Sequence, residues 1–278
     1  GVCLNEGCIP TKALLKNAKV YQEIINSETY GIKIDKTAEI SLDWGAMLNR
    51  KDRVVHQLTS GVKQLLKRNG VEVINGYGQV RDPHTILVGD QMISAEHLIL
   101  ATGSRPNIPP IPGLDAALEQ GLAVTSTGAL NFPEIPGHVI VVGGGVVGIE
   151  FAALFNALGS QVTVLEKFSV LGSLDEDLRT YMLRILRKKG VEILEGADVE
   201  RFEGANVIAT VEGETKTFRG DKVIVSLGRK PNVESFQDLG LAMEGMGIRT
   251  NERLETSIPG VYAIGDVNGK QMLAHVAS

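Results

Sequence analysis

Two short stretches of the chain hold residues whose types and spacing could do chemistry. The first is Gly143-Gly144-Gly145-Val146-Val147-Gly148, with the spacing GxGxxG. It follows an apolar run at 139–142 and opens a second at 149–158; Glu166 then ends the strand-like segment 161–165. Strand, glycine turn, helix, strand and terminal acid are the parts of a dinucleotide site. The glycines allow a tight turn and close approach to a pyrophosphate, the helix N-terminus faces the phosphates, and the acid accepts the ribose hydroxyls of an adenosine. An acid there would repel a 2′-phosphate and favours NAD over NADP, while Lys167 pulls the other way. A glycine turn without a ligand is the competing reading, and the surrounding pattern weighs against it.

The second stretch is Cys3-Leu4-Asn5-Glu6-Gly7-Cys8, which contains both cysteines of the chain. Two buried, reduced thiols would be the ordinary outcome for an arbitrary pair. Closeness, a position just before a helix and the lack of any other cysteine favour a redox pair instead. Residues five apart in a regular helix have Cα atoms roughly 8–9 Å apart, beyond the ~7 Å that a bridge tolerates. A bridge therefore needs a distorted first turn, which Gly7 eases. A thiolate at Cys8 would gain from the helix N-terminus.

Other features are weaker alone. Ala101-Thr102-Gly103-Ser104 follows a buried strand at 98–101 and could pass close to a ligand or simply turn. Val261-Tyr262-Ala263-Ile264-Gly265-Asp266 ends in an aspartate that could bind a sugar hydroxyl or cap a turn. Glu150 sits in an apolar helix, where it either faces water or needs a partner. The histidines at 56, 84, 97, 138 and 275 have no metal-ligand spacing and no triad arrangement.

The elements that must position these residues follow from periodicity. Helices are expected at 11–27 and 43–68, the latter with a stripe of Met47, Leu48, Val54, Val55, Leu58, Val62, Leu65 and Leu66. Strands are expected at 71–76, 84–88, 98–101, 139–142, 161–165 and 222–225, and a Pro-rich crossing at 105–113. Ser173 and Glu176 have the spacing of a capping box for the helix after them. With 28 Lys and Arg against 33 Asp and Glu, the net charge of −5 argues against nonspecific nucleic-acid binding. Two cysteines exclude a disulfide scaffold, and no apolar run is long enough for a membrane helix. No secretory pattern opens the chain, so the cytoplasm is the expected location.

The two halves repeat. Asn69-Gly70-Val71-Glu72-Val73-Ile74-Asn75-Gly76 parallels Lys189-Gly190-Val191-Glu192-Ile193-Leu194-Glu195-Gly196, and Thr102-Gly103-Ser104-Arg105-Pro106-Asn107 parallels Leu227-Gly228-Arg229-Lys230-Pro231-Asn232. Two related nucleotide-binding units explain this. The second has a glycine-rich start that the first lacks, so the chain is expected to begin inside a domain.

Taken together, Cys3–Lys12, Ala101–Ser104, Gly143–Glu150, Leu227–Asn232, Ala263–Asp266 and Met272-Leu273-Ala274-His275 resemble the pyridine nucleotide–disulfide oxidoreductases, most closely the branch that oxidises dihydrolipoyl groups. The resemblance implies an α/β fold: two FAD/NAD(P)-binding Rossmann-like domains of three-layer ββα architecture, the second inserted in the first. The implied boundaries are 1–116 and 238–278 for FAD and 117–237 for NAD. It also implies roles. Cys3 and Cys8 form a redox-active disulfide, Cys8 against the flavin and Cys3 outermost. Lys12 and Glu150 pair beside the flavin. Gly76, Thr102, Gly103, Ser104 and Asp266 touch FAD, and Met272, Leu273, Ala274 and His275 meet its pyrimidine edge. Gly143, Gly144, Gly145, Val146, Val147, Gly148, Ile149, Glu150, Glu166, Val199 and Gly228 line the NAD site. The implied partner is the lipoyl domain of a 2-oxoacid dehydrogenase or glycine cleavage complex, and the implied assembly is a homodimer.

No counterpart is found for the family's first glycine fingerprint, nor for its C-terminal dimerisation domain with the His–Glu acid/base pair. An internal fragment with little activity of its own is therefore expected. Mercuric or glutathione-type reductases are the enzyme alternatives, and a redox-inactive NAD-binding module is the alternative outside enzymes.

Overall fold

A computed structural model describes residues 1–35 and 39–277, which divide by contact into two compact units. Residues 4–58 and 106–228 make a larger unit; 1–3, 59–105 and 229–278 make a smaller one. The sequence places boundaries at 116/117 and 237/238, whereas contacts place them at 105/106 and 228/229 and group 4–58 with 106–228. A shared core explains the grouping, since Leu14, Ala18 and Trp44 are buried together with Phe151, Leu154 and Phe155.

The chain opens with two helices, α1 (Val2–Glu6) and α2 (Cys8–Ile25), where one beginning at 11 was expected. The break falls at Gly7, with φ −133° and ψ −112°. Pro10 lies in the first turn of α2, where its missing N–H costs nothing. Next comes α3 (Trp44–Arg68), whose start is capped by Asp43: its Oδ1 accepts the Ala46 N–H at 2.8 Å. Only the first part of the expected stripe is used. Met47 and Leu48 pack on the core, but Leu58, Val62 and Leu65 are exposed. Lys51 is buried instead, donating to Leu130 O at 3.0 Å and Asn131 Oδ1 at 2.7 Å.

In the smaller unit, β1 (Gly78–Asp82), β2 (Thr85–Val88) and β3 (Gln91–Ser94) form an antiparallel meander. Residues 71–76 do not form the expected strand, and Val71 and Val73 are exposed. A strand needs a partner; the repeated copy at 189–196 finds one, while 71–76 has none among the described residues. Further on lie β4 (Leu98–Leu100) and β5 (Ser104–Pro106).

Strands buried on both faces read as unbroken apolar runs, which is how the larger unit is built. After α4 (Leu114–Glu119), β6 (Ala123–Thr125) and α5 (Ser126–Ala129) come β7 (His138–Val142), α6 (Val146–Ala157), β8 (Gln161–Glu166), α7 (Glu176–Lys188) and β9 (Glu192–Glu195). Then β10 (Asp198–Glu203), β11 (Asn206–Val211) and β12 (Glu214–Arg219) form an antiparallel meander, and β13 (Lys222–Val225) returns to the first sheet. That sheet is wholly parallel, in the order β6-β13-β7-β8-β9.

Alternation sends Val139 and Val141 to one face, against Phe151 and Phe155 of α6 and Leu183 and Leu186 of α7. Ile140 and Val142 point to the other, against Phe202, Val207 and Ala209 of the meander and Leu114 of α4. Helices, parallel sheet and meander are the three layers expected of a ββα unit. The expected capping box does not form: Asp175, not Ser173, is the N-cap of α7, and no side chain caps it. Glu176 and Asp177 in the first turn and Arg187 and Lys188 in the last suit the helix dipole instead.

The smaller unit is completed by β14 (Arg229–Pro231), which pairs with β5, and β15 (Val261–Ala263), which runs parallel to β4. Among the described residues no helix is long and apolar enough to cross a membrane.

Trp44, the only tryptophan of the chain, lies against Phe155 with ring centroids 6.4 Å apart. Its fluorescence therefore reports on the larger unit. Phe155→Ala should destabilise that unit by about 3–5 kcal/mol in urea titrations followed by this signal; a loss below ~1 kcal/mol would contradict the packing described.

Candidate functional site

The glycine turn leaves β7 and enters α6. Gly143 has φ +104°, and a Cβ there would lie 2.2 Å from Ser226 O. At Gly148 a Cβ would lie 2.1 Å from Gly143 O. Only glycine meets both demands, so the tight turn and close helix–strand packing read from the sequence are present. Gly145, the N-cap of α6, has open space beside it and no side-chain cap, and Val146 and Val147 are exposed while Ile149 is buried. The first N–H groups of α6 thus lack an intrahelical or side-chain acceptor, as an anion site at a helix start requires.

Glu166, at the end of β8, accepts the Gly144 N–H at 2.7 Å and the Phe168 N–H at 2.8 Å. The structure therefore brings the sequence-predicted acid to the sequence-predicted turn. Val199 packs beside the meander core at an irregularity in β10, and Gly228, φ +88°, accepts the Asn107 N–H at 2.9 Å.

In the same unit, Lys12 is ion-paired with Glu150. Lys12 lies one turn beyond Cys8, the first residue of α2; Glu150 lies one turn beyond Val146, the first residue of α6. The carboxylate that the sequence left without a partner therefore has one. Both cysteines are thiols, Cys3 half-buried on α1 and Cys8 exposed. Accessibility does not select Cys3 as the outer thiol; that role rests on the resemblance.

In the smaller unit, the parallel pairing of β4 with β15 sets the loops after them side by side. Ile264 N–H donates to Leu100 O at 3.0 Å, and the Ser104 hydroxyl donates to Asp266. Arg229, which sequence reasoning did not assign, donates to Ser104 Oγ and Ser104 O, each at 2.7 Å. Asn232 was likewise missed. It donates to Thr102 O at 3.0 Å and accepts from Arg105 at 2.7 Å, and its N–H donates to Gly103 O at 2.9 Å. The repeat was the available signal, since Asn107 stands in the same place in the first copy and donates to Leu227 O at 3.2 Å.

Beside Asn232, the hydrogen bond from Arg105 holds the Glu234 carboxyl below the usual range despite slight burial. Gly103, φ +69° with open space beside it, follows exposed Thr102. Hydroxyl, open backbone and aspartate together suit a ligand rich in sugar or ribityl hydroxyls. Gly76 has φ +153°, and a Cβ there would lie 2.5 Å from Val88 Cγ1. Met272 is half-buried, and Leu273, Ala274 and His275 are exposed in a turn.

Residues 1–278 match the family described as pyridine nucleotide-disulphide oxidoreductase, and the chain belongs to that family. It is 44% identical over 278 residues to a dihydrolipoyl dehydrogenase of Acholeplasma laidlawii, covering 100% of this chain and 82% of that protein. Identity is 42% over 279 residues to the dihydrolipoyl dehydrogenase of Mycoplasma genitalium, of which the chain spans 61%. Among solved structures, the HOCl-induced flavoprotein disulfide reductase RclA from Escherichia coli is similar, with a TM-score of 0.83 and 30% identity over 100% of this chain and 60% of that one.

Gly148→Ala should cost about 1–3 kcal/mol, because the new methyl meets backbone that cannot move aside without shifting β7. Gly145→Ala, with open space, should stay within about 1 kcal/mol of the parent. Thermal unfolding of both variants checks the contrast, and equal losses would refute the geometry of the turn.

Proposed function

We propose that this chain carries the thiol and dinucleotide chemistry of a dihydrolipoyl dehydrogenase, oxidising dihydrolipoyl groups and reducing NAD⁺ with FAD as intermediary. The observation that carries the reading is the Lys12–Glu150 ion pair. It ties the helix that begins at Cys8 to the helix that begins at the glycine turn. A module that only bound a dinucleotide would need neither the cysteine pair nor this link. The names of the relatives add support.

A dihydrolipoyl dithiol would attack a Cys3–Cys8 disulfide, pass through a mixed disulfide and leave as the cyclic disulfide, with both cysteines reduced. Return of the cysteines to the disulfide releases two electrons and two protons. Nicotinamide takes both electrons and one proton as hydride, and the other proton leaves. FAD, when bound, supplies the two-electron relay between sulfur and nicotinamide. The open N–H groups of α6 would hold the dinucleotide pyrophosphate, and Glu166 would exchange its backbone donors for ribose hydroxyls. Thr102, Gly103, Ser104 and Asp266 would hold FAD, by resemblance and by their hydroxyl and carboxylate chemistry. The dithiol would come on a lipoyl domain, and the enzyme would act as a homodimer in the cytoplasm.

Equilibration of the reduced chain with oxidised lipoamide, followed by alkylation and mass spectrometry, tests the thiol half. The expected product is an intramolecular Cys3–Cys8 bridge closed to alkylation and absent from Cys8→Ser; two thiols still open to alkylation would overturn the reading. For the dinucleotide half, Glu166→Gln should weaken NADH binding about tenfold in calorimetry. Unchanged affinity would remove Glu166 from the site.

A further inference from the structure

A second layer of charge surrounds the acid at the end of β8. Glu166 and Glu195 are neighbours in the β8–β9 register, and the Ala197 N–H donates to Glu166 O at 2.9 Å. Asp198, the next residue, therefore starts β10 beside the backbone of Glu166. Among the described residues two cations reach this cluster, and each is matched to a carboxylate. Arg179 of α7 pairs with Glu195, and its Nε also donates to Val170 O at 2.8 Å. Glu195 in turn accepts the Val170 N–H at 2.8 Å. Lys167 pairs with Asp198 at 2.9 Å. Glu166 is satisfied by backbone N–H groups.

The two pairs differ in how firmly they are held. The Arg179 and Glu195 side chains are 23% and 29% exposed and share a backbone partner, so that guanidinium is fixed. Lys167 and Asp198 are 55% and 56% exposed. A pair that open is screened and weak, and a lysine stem is long enough to re-aim its ammonium. Lys167, the residue beside Glu166, is thus the cation that a 2′-phosphate could recruit.

Resting on the dinucleotide reading above, we propose that Asp198 is a specificity-positioning residue, which commits Lys167 to itself and so withholds from NADPH the cation next to its 2′-phosphate. Glu166 repels the phosphate, and Asp198 removes the compensating charge. A weak pair suffices, because specificity is a difference between two affinities and the competing ligand alone needs that cation.

The test is titration calorimetry of the 278-residue chain with NADH and with NADPH, for the parent, Asp198→Asn and Asp198→Asn/Lys167→Met. Asp198→Asn should raise the ratio of NADPH to NADH affinity about fivefold, with the gain shrinking as salt is added. The double variant should return the ratio to the parent value. An unchanged ratio in Asp198→Asn, with NADH still bound, would sink this inference and leave the function standing. A gain that survives in the double variant would also sink it, because Lys167 would not be the agent. Failure of the parent chain to bind NADH would bring down the dinucleotide reading and this proposal with it.

Discussion

The packing of α2 against α6, marked near their starts by the Lys12–Glu150 ion pair, is the contact on which the thiol end of the larger unit depends. Lys12 is 57% exposed, so solvent screens the attraction and its worth to folding is about 1 kcal/mol or less. Apolar burial holds α2 against α6, where Leu14 and Ala18 pack in one core with Phe151, Ala152 and Phe155. Close-packed contacts of this kind set how the two helices lie together, and the exposed charge pair joins them one turn in from each helix start. That packing decides which residues of α2 face α6, and it brings Lys12 within reach of Glu150.

The parallel sheet supplies the second constraint. In a doubly wound unit the strand ends on one edge all open toward the crevice, so residues distant in sequence collect there. Gly143 after β7, Glu166 at the end of β8, Glu195 at the end of β9 and Gly228 after β13 follow this rule. The smaller unit repeats it on a smaller scale: two parallel strands, β4 and β15, deliver Thr102 and Asp266 to neighbouring loops. Arg229 and Asn232 then fasten the first of those loops by bonding to Ser104 and Thr102.

Much of this was legible because the signals were local. A glycine that must adopt φ +104° or lie 2.1 Å from a carbonyl leaves its mark in the sequence whatever surrounds it. Apolar runs at 139–142 and 222–225 name buried strands for the same reason. What could not be read depends on partners far along the chain. Residues 71–76 have the composition of a strand, and their copy at 192–195 is one, yet pairing and not composition decides the outcome. The α3 stripe is periodic over its whole length, but only its first part meets a core. Ser173 has the right spacing from Glu176 for a cap, and the chain enters α7 through Asp175. The commitment of Arg179 to Glu195 and of Lys167 to Asp198 has no sequence signature, since each pair spans separate elements.

Lys51 illustrates what such hidden partnerships imply. It is the lysine buried among the described residues, and its ammonium meets Leu130 O, Asn131 Oδ1 and an Asp52 carboxylate oxygen 3.1 Å away. Two hydrogen bonds and an ion pair thus stand in for water around the charge. An acylating reagent must wait for α3 to lift from the segment after α5 before it can reach this amine. The slow modification of one nitrogen then becomes a clock for how often that part of the molecule breathes, set against the fast reaction of lysines on the surface.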